Sequence, residues 1–340
     1  MTADRASRPP LPDPDELISR ARVVRLPMTV RFRGVTEREV MLIHGNARWT
    51  EWSPFLEYAD EEAATWLRGA LEYGFSEAFH PLDASVPVNA TVPAVSPERV
   101  ACVLERYGSC RAVKVKVAER GQSLADDIAR VAEVRRCVGP DACIRVDANA
   151  GWSLDEAAAA LPPLAEAAGG LDYAEQPVAS VEDLARLRER LRGEVAIAAD
   201  ESIRKASDPL RVAKLGAADR IIVKAQPLGG ISRAAEIVRE CGLPATVSSA
   251  LDSSVGLAMG AQLAARVAAD SGEPPAPAGL GTGALFERDV TAHPRVPEGG
   301  VISAAPVEVD ADALNRLKAP PERVAWWQER LRRCLDLIRD

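Results

Sequence analysis

Apolar and charged residues alternate through Val113-Lys114-Val115-Lys116-Val117, the period of a strand that turns its valines to one face and both lysines to the other. Ile144-Arg145-Val146-Asp147-Ala148-Asn149 repeats the alternation further on. In isolation either segment reads as an edge strand with its charges in water, but the spacing argues otherwise. Lys116, Asp147, Glu175, Asp200 and Lys224 each close a short apolar run, at successive intervals of 31, 28, 25 and 24 residues, the pitch of a strand-helix repeat. In a closed parallel barrel the apolar strand faces lie beneath the helices and the opposite faces converge on the axis. Two lysines and three carboxylates are therefore expected at one mouth, with Lys114 on the same face as Lys116.

The segments between these strands read as helices. Ser96 followed by Pro97 opens one, and 124–137, 153–167 and 180–191 supply three more, the last two with serine at the cap and acidic residues in the first turn. Helices at 208–215, 232–240 and 254–269 follow, while strands at 86–92, 245–249 and 278–281 bring the count to that of a (β/α) barrel. Ahead of the barrel, 21–30, 39–44 and 47–52 read as strands and 60–73 as a helix with Asp60 at its N-cap. After Val301 the pitch stops. Residues 322–340 form an amphipathic helix with Val324, Trp327, Leu331, Leu335 and Ile338 on one side, expected to pack back on the N-terminal segment; Trp326 lies off that stripe. The fold expected is an α/β, TIM-type barrel (86–300) with an α+β capping domain from 1–85 and the C-terminal segment 301–340.

A chain of 340 residues, 47% hydrophobic and 27% charged, has room for a barrel of about 200 to 250 residues and a smaller domain. Its net charge of -8 argues against nucleic acid or an acidic membrane surface as partner. Residues 1–20 are rich in Pro, Asp and Arg without an apolar stretch of signal-peptide length, and no later run is long enough to span a bilayer. A cytoplasmic protein, monomeric or a small homo-oligomer, is expected. The six cysteines show no CxxC pair, and reduced, mostly buried thiols are the expected state. With three histidines, none beside a recurring motif, histidine-based metal or triad chemistry has little to build on. Of the 42 basic residues only Lys114, Lys116, Lys205, Lys214, Lys224 and Lys318 are lysine. Arginine stays protonated in any protein environment whereas lysine can give up its proton, so lysines at 114, 116 and 224 in an arginine-rich chain are suggestive.

Three carboxylates at the ends of consecutive strands suit a hard divalent cation, Mg²⁺ before others. Each one alone would pass for an ion-pair or cap residue. A cation holding a substrate carboxylate would stabilise charge developing on it as a neighbouring proton leaves. Lys116 and Lys224 fit as base and opposite-face partner, and Lys114 supplies a neighbouring cation of the kind that favours a neutral lysine.

Together these residues resemble a known family. Lys114-Val115-Lys116, Asp147-Ala148-Asn149, Glu175-Gln176-Pro177, Asp200-Glu201-Ser202 and Lys224 in Val-Lys-Ala-Gln-Pro-Leu-Gly-Gly are similar to the enolase superfamily, muconate-lactonizing subgroup. Its Lys or His base with Mg²⁺ is a known pattern. Trp49-Thr50-Glu51-Trp52-Ser53-Pro54-Phe55 resembles the capping-domain W-x-E-x-S-P-F segment, so the likeness covers nearly the whole chain. It implies Lys116 and Lys224 as catalytic residues, Asp147, Glu175 and Asp200 as ligands of one Mg²⁺ with Mn²⁺ as a substitute, and a small-molecule carboxylate substrate. Lys114, Asn149, Glu201, Ser248, Ser249 and Gly281 are implied as supporting residues.

Within the subgroup, Ser248-Ser249-Ala250-Leu251-Asp252-Ser253-Ser254-Val255-Gly256-Leu257 and Gly279-Leu280-Gly281-Thr282-Gly283 are similar to the actinobacterial o-succinylbenzoate synthases. That resemblance implies syn dehydration of 2-succinyl-6-hydroxy-2,4-cyclohexadiene-1-carboxylate, a step of menaquinone synthesis. Lys116 would take the proton alpha to the ring carboxylate and then assist loss of the hydroxyl, with Lys224 facing the enediolate. Dipeptide epimerases carry Asp-x-Asp where this chain reads Gly281-Thr282-Gly283, which argues against dipeptides. The segment between Val30 and Val40 is shorter than the specificity loop of relatives. N-succinylamino acid racemase is the alternative activity, with muconate cycloisomerase behind it. A catalytically dead barrel serving as a scaffold is the non-enzymatic one, disfavoured by an intact set of lysines and carboxylates.

Overall fold

The computed structural model describes residues 11–32, 34–203 and 208–339. Most of the Pro-rich start and Lys205 lie outside them. Asp13 opens α1 (Pro14–Arg20) by accepting the N–H of Asp15 at 2.9 Å, and the chain passes directly into β1 (Ala21–Phe32). With β2 (Val35–His44) and β3 (Trp49–Trp52) it forms an antiparallel sheet in the order β1-β2-β3. The register shifts between Pro27 and Phe32, where proline has no N–H for the ladder. The helix α2 (Asp60–Phe75) is not capped by Asp60 as expected. Ala59 holds that position without a side-chain bond, and Asp60 is drawn instead to Arg333, whose Nε lies 2.7 Å away.

Strand and helix then alternate: β4 (Ser85–Pro87), β5 (Ala90–Val92), α3 (Val100–Glu105), β6 (Ala112–Lys116), α4 (Leu124–Val138), β7 (Cys143–Asp147), α5 (Leu154–Ala168) and β8 (Tyr173–Glu175). They continue as α6 (Val181–Leu191), β9 (Ile197–Ala199), α7 (Asp208–Lys214), β10 (Arg220–Val223), α8 (Ile231–Cys241), β11 (Ala245–Val247) and α9 (Ser254–Ser271). Ser123 and Ser153 build capping boxes with Asp126 and Glu156, and Ser180 caps α6 through the N–H of Asp183. Strands β5 to β11 make one parallel sheet in sequence order. The chain ends with β12 (Val301–Ser303), α10 (Ala311–Leu317) and α11 (Pro321–Arg339).

Two expected strands come out differently. The segment 86–92 is split: β4 pairs antiparallel with β12, and β5 joins the parallel sheet. At the break the N–H of Val88 goes to Gly300 O and that of Asn89 to Ala278 O, both at 2.9 Å. The segment 278–281 is no regular strand, since only Ala278 and Gly279 pair, as single bridges to Val88 and Ser248. Pro274, Pro275 and Pro277 remove ladder donors just before it, and Gly281 already begins a 3-10 turn, Gly281–Leu285. Those two residues nonetheless join the edges of the curled sheet, with Gly279 N donating to Val247 O at 2.7 Å.

Valines at 113, 115 and 117 and Ile144 and Val146 pack under the helices, against residues such as Val131, Val134, Leu161 and Leu164. Inside the curl the apolar set is small, Tyr173, Ala198 and Ile222. Arg145 completes that floor, its guanidinium 4.8 Å from the Tyr173 ring centroid and bonded to Pro277 O at 2.7 Å. A separate core joins α2, β3 and α11 around Trp52, Trp66 and Trp327, with the Trp52 and Trp327 rings edge to face at 5.3 Å. Trp326, off the apolar stripe, lies beneath two guanidiniums, Arg323 at 4.5 Å and Arg330 at 5.1 Å. The cysteines are not mostly buried as expected: Cys241 and Cys334 are, but Cys102, Cys137 and Cys143 are exposed and Cys110 is half-buried. Among the described residues no helix is long and apolar enough to cross a membrane.

The N-terminal elements also reach the starts of two outer helices. Glu72 of α2 accepts the N–H of Ser232 at 3.1 Å, at the first turn of α8. Gly230, at φ 124°, makes this approach possible: a Cβ there would stand 1.9 Å from Glu72 Oε2.

Candidate active site

Lys116, Asp147 and Glu175 are register partners across β6, β7 and β8, so strand pairing alone brings them into one row. Asp200 and Lys224 are the first residues beyond β9 and β10. All five are buried, as is Lys114. Lys116 Nζ lies 2.5 Å from Asp147 Oδ2 and 2.5 Å from Asn149 Oδ1. Lys114 Nζ bonds both oxygens of Glu175, at 2.9 and 3.1 Å, and approaches Asp147 Oδ2 at 3.2 Å. Lys224 Nζ, four strands away from Lys116 around the curl, holds Asp200 Oδ1 at 2.5 Å and also reaches Oδ2.

Burial opposes every charge in such a cluster, and the neighbours decide which survive. For Asp147 burial works upward, but Lys116 and Lys114 outweigh it and hold the carboxyl far below its ordinary range. Glu175 goes the other way: burial pushes it up, and the nearby charge of Asp147 adds to that. Lys114 is lowered by burial, yet Glu175 and Asp147 more than compensate and keep it firmly an ammonium. Its charge is thus engaged by two carboxylates, which weakens it as the cationic neighbour expected for Lys116.

The supporting residues divide. Asn149 also donates to Glu201 Oε1 at 3.1 Å. Ser248 and Ser249 line the small cavity over the cluster, and Ser249 Oγ stands 2.7 Å from Thr282 Oγ1. Gly281 does not line that cavity; Gly279 and Thr282 do. Gly281 instead passes so close to the backbone that a Cβ would meet Asn89 O at 2.6 Å. Gln176 has a role not read from the sequence: its Oε1 accepts the N–H of Asp200 at 2.9 Å and of Ser202 at 3.1 Å, fixing the Asp200 backbone. Asn149, Gln176 and Leu251 all adopt positive φ, at 46°, 37° and 61°, a concentration of strained backbone at the cluster. Thr91, Leu251 and Phe32 were also missed. The Phe32 ring centroid is 5.2 Å from Lys116 Nζ; alternation of Leu26, Met28, Val30 and Phe32 signalled its burial but not its neighbour.

The loop 250–252 is held from the N-terminal sheet. Buried Arg38 on β2 donates to Leu251 O at 3.3 Å, to Ala250 O at 3.4 Å and to Ser53 O. Glu51 on β3 accepts from Ser253 N at 3.0 Å, Gly256 N at 3.2 Å and Ser53 Oγ at 2.6 Å, and also from Ser253 Oγ. The W-x-E-x-S-P-F segment and the Ser248–Leu257 stretch thus meet side chain to backbone.

Among the described residues no three acidic, histidine or cysteine side chains already stand around a common point as a cage; each carboxylate is bonded to a lysine. The donor set still fits a hard cation. Asp147, Glu175 and Asp200 offer only oxygen, stand on adjacent strand ends and are each at most 3% exposed, where an added divalent charge would offset the burial that raises Glu175. Chemically, the arrangement offers two lysines facing one acidic pocket from opposite arcs of the sheet. That suits moving a proton on one face of a carbon acid while positive charge waits on the other.

Residues 97–307 match the family model described as Enolase C-terminal domain-like, and residues 23–74 match Enolase N-terminal domain-like. The chain is 51% identical over 328 residues to the o-succinylbenzoate synthase of Mycolicibacterium smegmatis, covering 96% of this chain and 99% of that one. It is 48% identical over 330 residues to the o-succinylbenzoate synthase of Mycobacterium tuberculosis, covering 97% and 98%. Among solved structures it resembles the muconate lactonizing enzyme of Pseudomonas fluorescens, at TM-score 0.73 and 19% identity over 88% of this chain and 98% of that one. The L-Ala-D/L-Glu epimerase of Bacillus subtilis gives TM-score 0.70 at 21% identity, over 85% and 96%.

Proposed function

We propose, for a chain that belongs to the enolase superfamily, the activity of an o-succinylbenzoate synthase: Mg²⁺-dependent syn dehydration of 2-succinyl-6-hydroxy-2,4-cyclohexadiene-1-carboxylate, a step of menaquinone synthesis. The observation that carries it is the placement of Lys116 and Lys224 four strands apart over one buried carboxylate row, in a chain about half identical to named synthases over its full length. The fold that goes with this reading is a TIM-type barrel, 86–300, under an α+β cap made by 1–85 and 301–340. Support comes from the bridged edges of the parallel sheet and from the shared tryptophan core of α2, β3 and α11. A cytoplasmic enzyme acting on a small dicarboxylate, monomeric or in a small homo-oligomer, belongs to the same reading, with no nucleic acid or membrane partner; the net charge of -8 favours neither of those.

Asp147, Glu175 and Asp200 would hold Mg²⁺, which when bound supplies Lewis acidity and positive charge toward a substrate carboxylate. Lys116 takes the proton alpha to the ring carboxylate at Nζ, and the same ammonium then donates to the departing hydroxyl on that face. Asn149, 2.5 Å from Nζ, orients it. Lys224 keeps a positive charge on the opposite face, where negative charge develops as the proton leaves. Gln176 fixes Asp200, and Arg38 and Glu51 fix the loop that closes the pocket beside Ser248 and Ser249.

The test is direct assay of purified protein with the cyclohexadiene and Mg²⁺, followed by loss of the diene absorbance. Efficient turnover is expected, and inactivity of folded, Mg²⁺-supplied protein would overturn the reading. Two lysines flanking one carbon also suit racemisation of N-succinylamino acids, so the same preparation is assayed with both enantiomers. Muconate cycloisomerisation stands behind these.

A further inference from the structure

The cavity over the lysine-carboxylate cluster is small, about 20 Å³, little more than the space of a single water. A ring bearing two substituents cannot sit there whole. Next to it lies a cavity of about 890 Å³ that shares Phe32, Lys116 and Asn149 with the first, within the range of about 300 to 1,000 Å³ of ligand sites. Whatever places its reacting carbon at Lys116 must extend into this larger space.

Among the described residues three arginines from three elements line it: Arg31 near the end of β1, Arg99 in the turn after β5, and Arg120 in the loop after β6. Among the described residues Glu119 is the one acidic residue on its wall. Among the described residues none of these three exposed guanidiniums forms an ion pair or a side-chain hydrogen bond, so all three are free to turn toward a ligand in the cavity. Unengaged guanidiniums around an open cavity are suited to a carboxylate, which their planar donor fork can bind through paired hydrogen bonds.

We propose that Arg31, Arg99 and Arg120 receive the carboxylate at the free end of the substrate's succinyl chain, while the ring carboxylate is held beyond Lys116. The inference rests on the synthase reading above and adds to it the residues that select a dicarboxylate. It also accounts for how a chain that is short between Val30 and Val40 recognises the distal end of its substrate: two of these three arginines come from the loops after β5 and β6 and one, Arg31, from the N-terminal sheet.

The test compares two ligands by titration calorimetry in the presence of Mg²⁺: o-succinylbenzoate, and 2-butanoylbenzoate, in which a methyl replaces the terminal carboxylate. Wild-type protein is expected to bind the first about tenfold or more tightly than the second, the value of one well-made charged contact. In the combined Arg31→Met, Arg99→Met, Arg120→Met variant the two affinities should converge to within about twofold, near the wild-type value for 2-butanoylbenzoate. Discrimination that survives in the triple variant, or that is absent from wild type, overturns the proposal, as does failure of wild type to bind either ligand. Should the triple variant misfold, Arg99→Met and Arg120→Met alone must each reduce the ratio. Turnover of the cyclohexadiene by wild type is scored separately: discrimination without turnover sinks the synthase reading alone, and turnover without discrimination sinks the arginine site alone.

Discussion

Glu51, on the third strand of the N-terminal sheet, accepts the backbone N–H of Ser253 at 3.0 Å, immediately before α9. A carboxylate there faces unsatisfied N–H groups and the positive end of the helix. Burial nevertheless pushes its carboxyl up to about 8 from an ordinary 4.5, with Asp252 adding to the rise while Ser253, Ser53 and Arg38 oppose it.

A pH dependence of stability follows from that shift. Because the folded pKa lies above the unfolded one, folded protein holds more protons between them, so this group's contribution is full below the unfolded value and is lost as pH rises toward 8. Glu51→Gln cannot titrate. Melting midpoints of wild type minus Glu51→Gln, measured by calorimetry from pH 5 to pH 9, should therefore fall as pH rises; a difference that grows with pH contradicts the shift.

Lys116→Ala should lower kcat about 10²-fold to 10⁴-fold, the usual range for a general base, with circular dichroism unchanged. Lys116→Arg should be nearly as damaging, because Arg cannot give up its proton. Near-normal turnover by a folded Lys116→Ala protein rules out the base.

Exhaustive chelation should abolish turnover and Mg²⁺ should restore it. Independently of activity, saturating Mg²⁺ should raise the unfolding free energy, by about 2.7 kcal/mol at one hundred times Kd. A midpoint indifferent to Mg²⁺ would count against Asp147, Glu175 and Asp200 as its ligands.

Lys224 distinguishes dehydration from racemisation. Lys224→Ala removes the ammonium that holds both oxygens of buried Asp200, whereas Lys224→Arg keeps a positive charge there and is the cleaner variant. It should retain more dehydratase activity than Lys224→Ala, while racemisation of N-succinylamino acids vanishes in both. Equal exchange of the alpha proton of both enantiomers in deuterated water by wild type, at rates rivalling dehydration, would favour the racemase.

Gly230→Ala should destabilise the protein by about 1 to 3 kcal/mol, the cost of a non-glycine residue held in a disfavoured φ region, and should displace Glu72 from the start of α8. Urea unfolding reads the first effect. Glu72→Ala alone, without the backbone strain, should cost less.

The strand row was legible because a period of two and a repeating pitch are local properties, and Lys116, Asp147 and Glu175 needed nothing more than pairing in register. Serine caps were legible for the same reason at Ser153 and Ser180, whereas Asp60 was misread because a distant partner, Arg333, outbid the helix's own N–H groups. The break at Val88 and Asn89 is set by Gly300 and Ala278, far along the chain. Phe32 escaped notice, and Gln176 and Thr282 stood in motifs without a role of their own, because their partners come from other elements. Gly281, within a recognisable motif, proved to be a close backbone approach and not a pocket residue.

The row formed by Lys116, Asp147 and Glu175 also sets which changes of length the chain can inherit. Deleting one residue inside β6, β7 or β8 would turn the charged side chain from the pocket to the helix-facing side, since a slip of one reverses every face of a strand. The same deletion at 139–142 or 169–172, in the turns between α4 and β7 and between α5 and β8, leaves the row in register. Descendants of this chain should therefore differ in length at the floor of the sheet and keep their strands residue for residue.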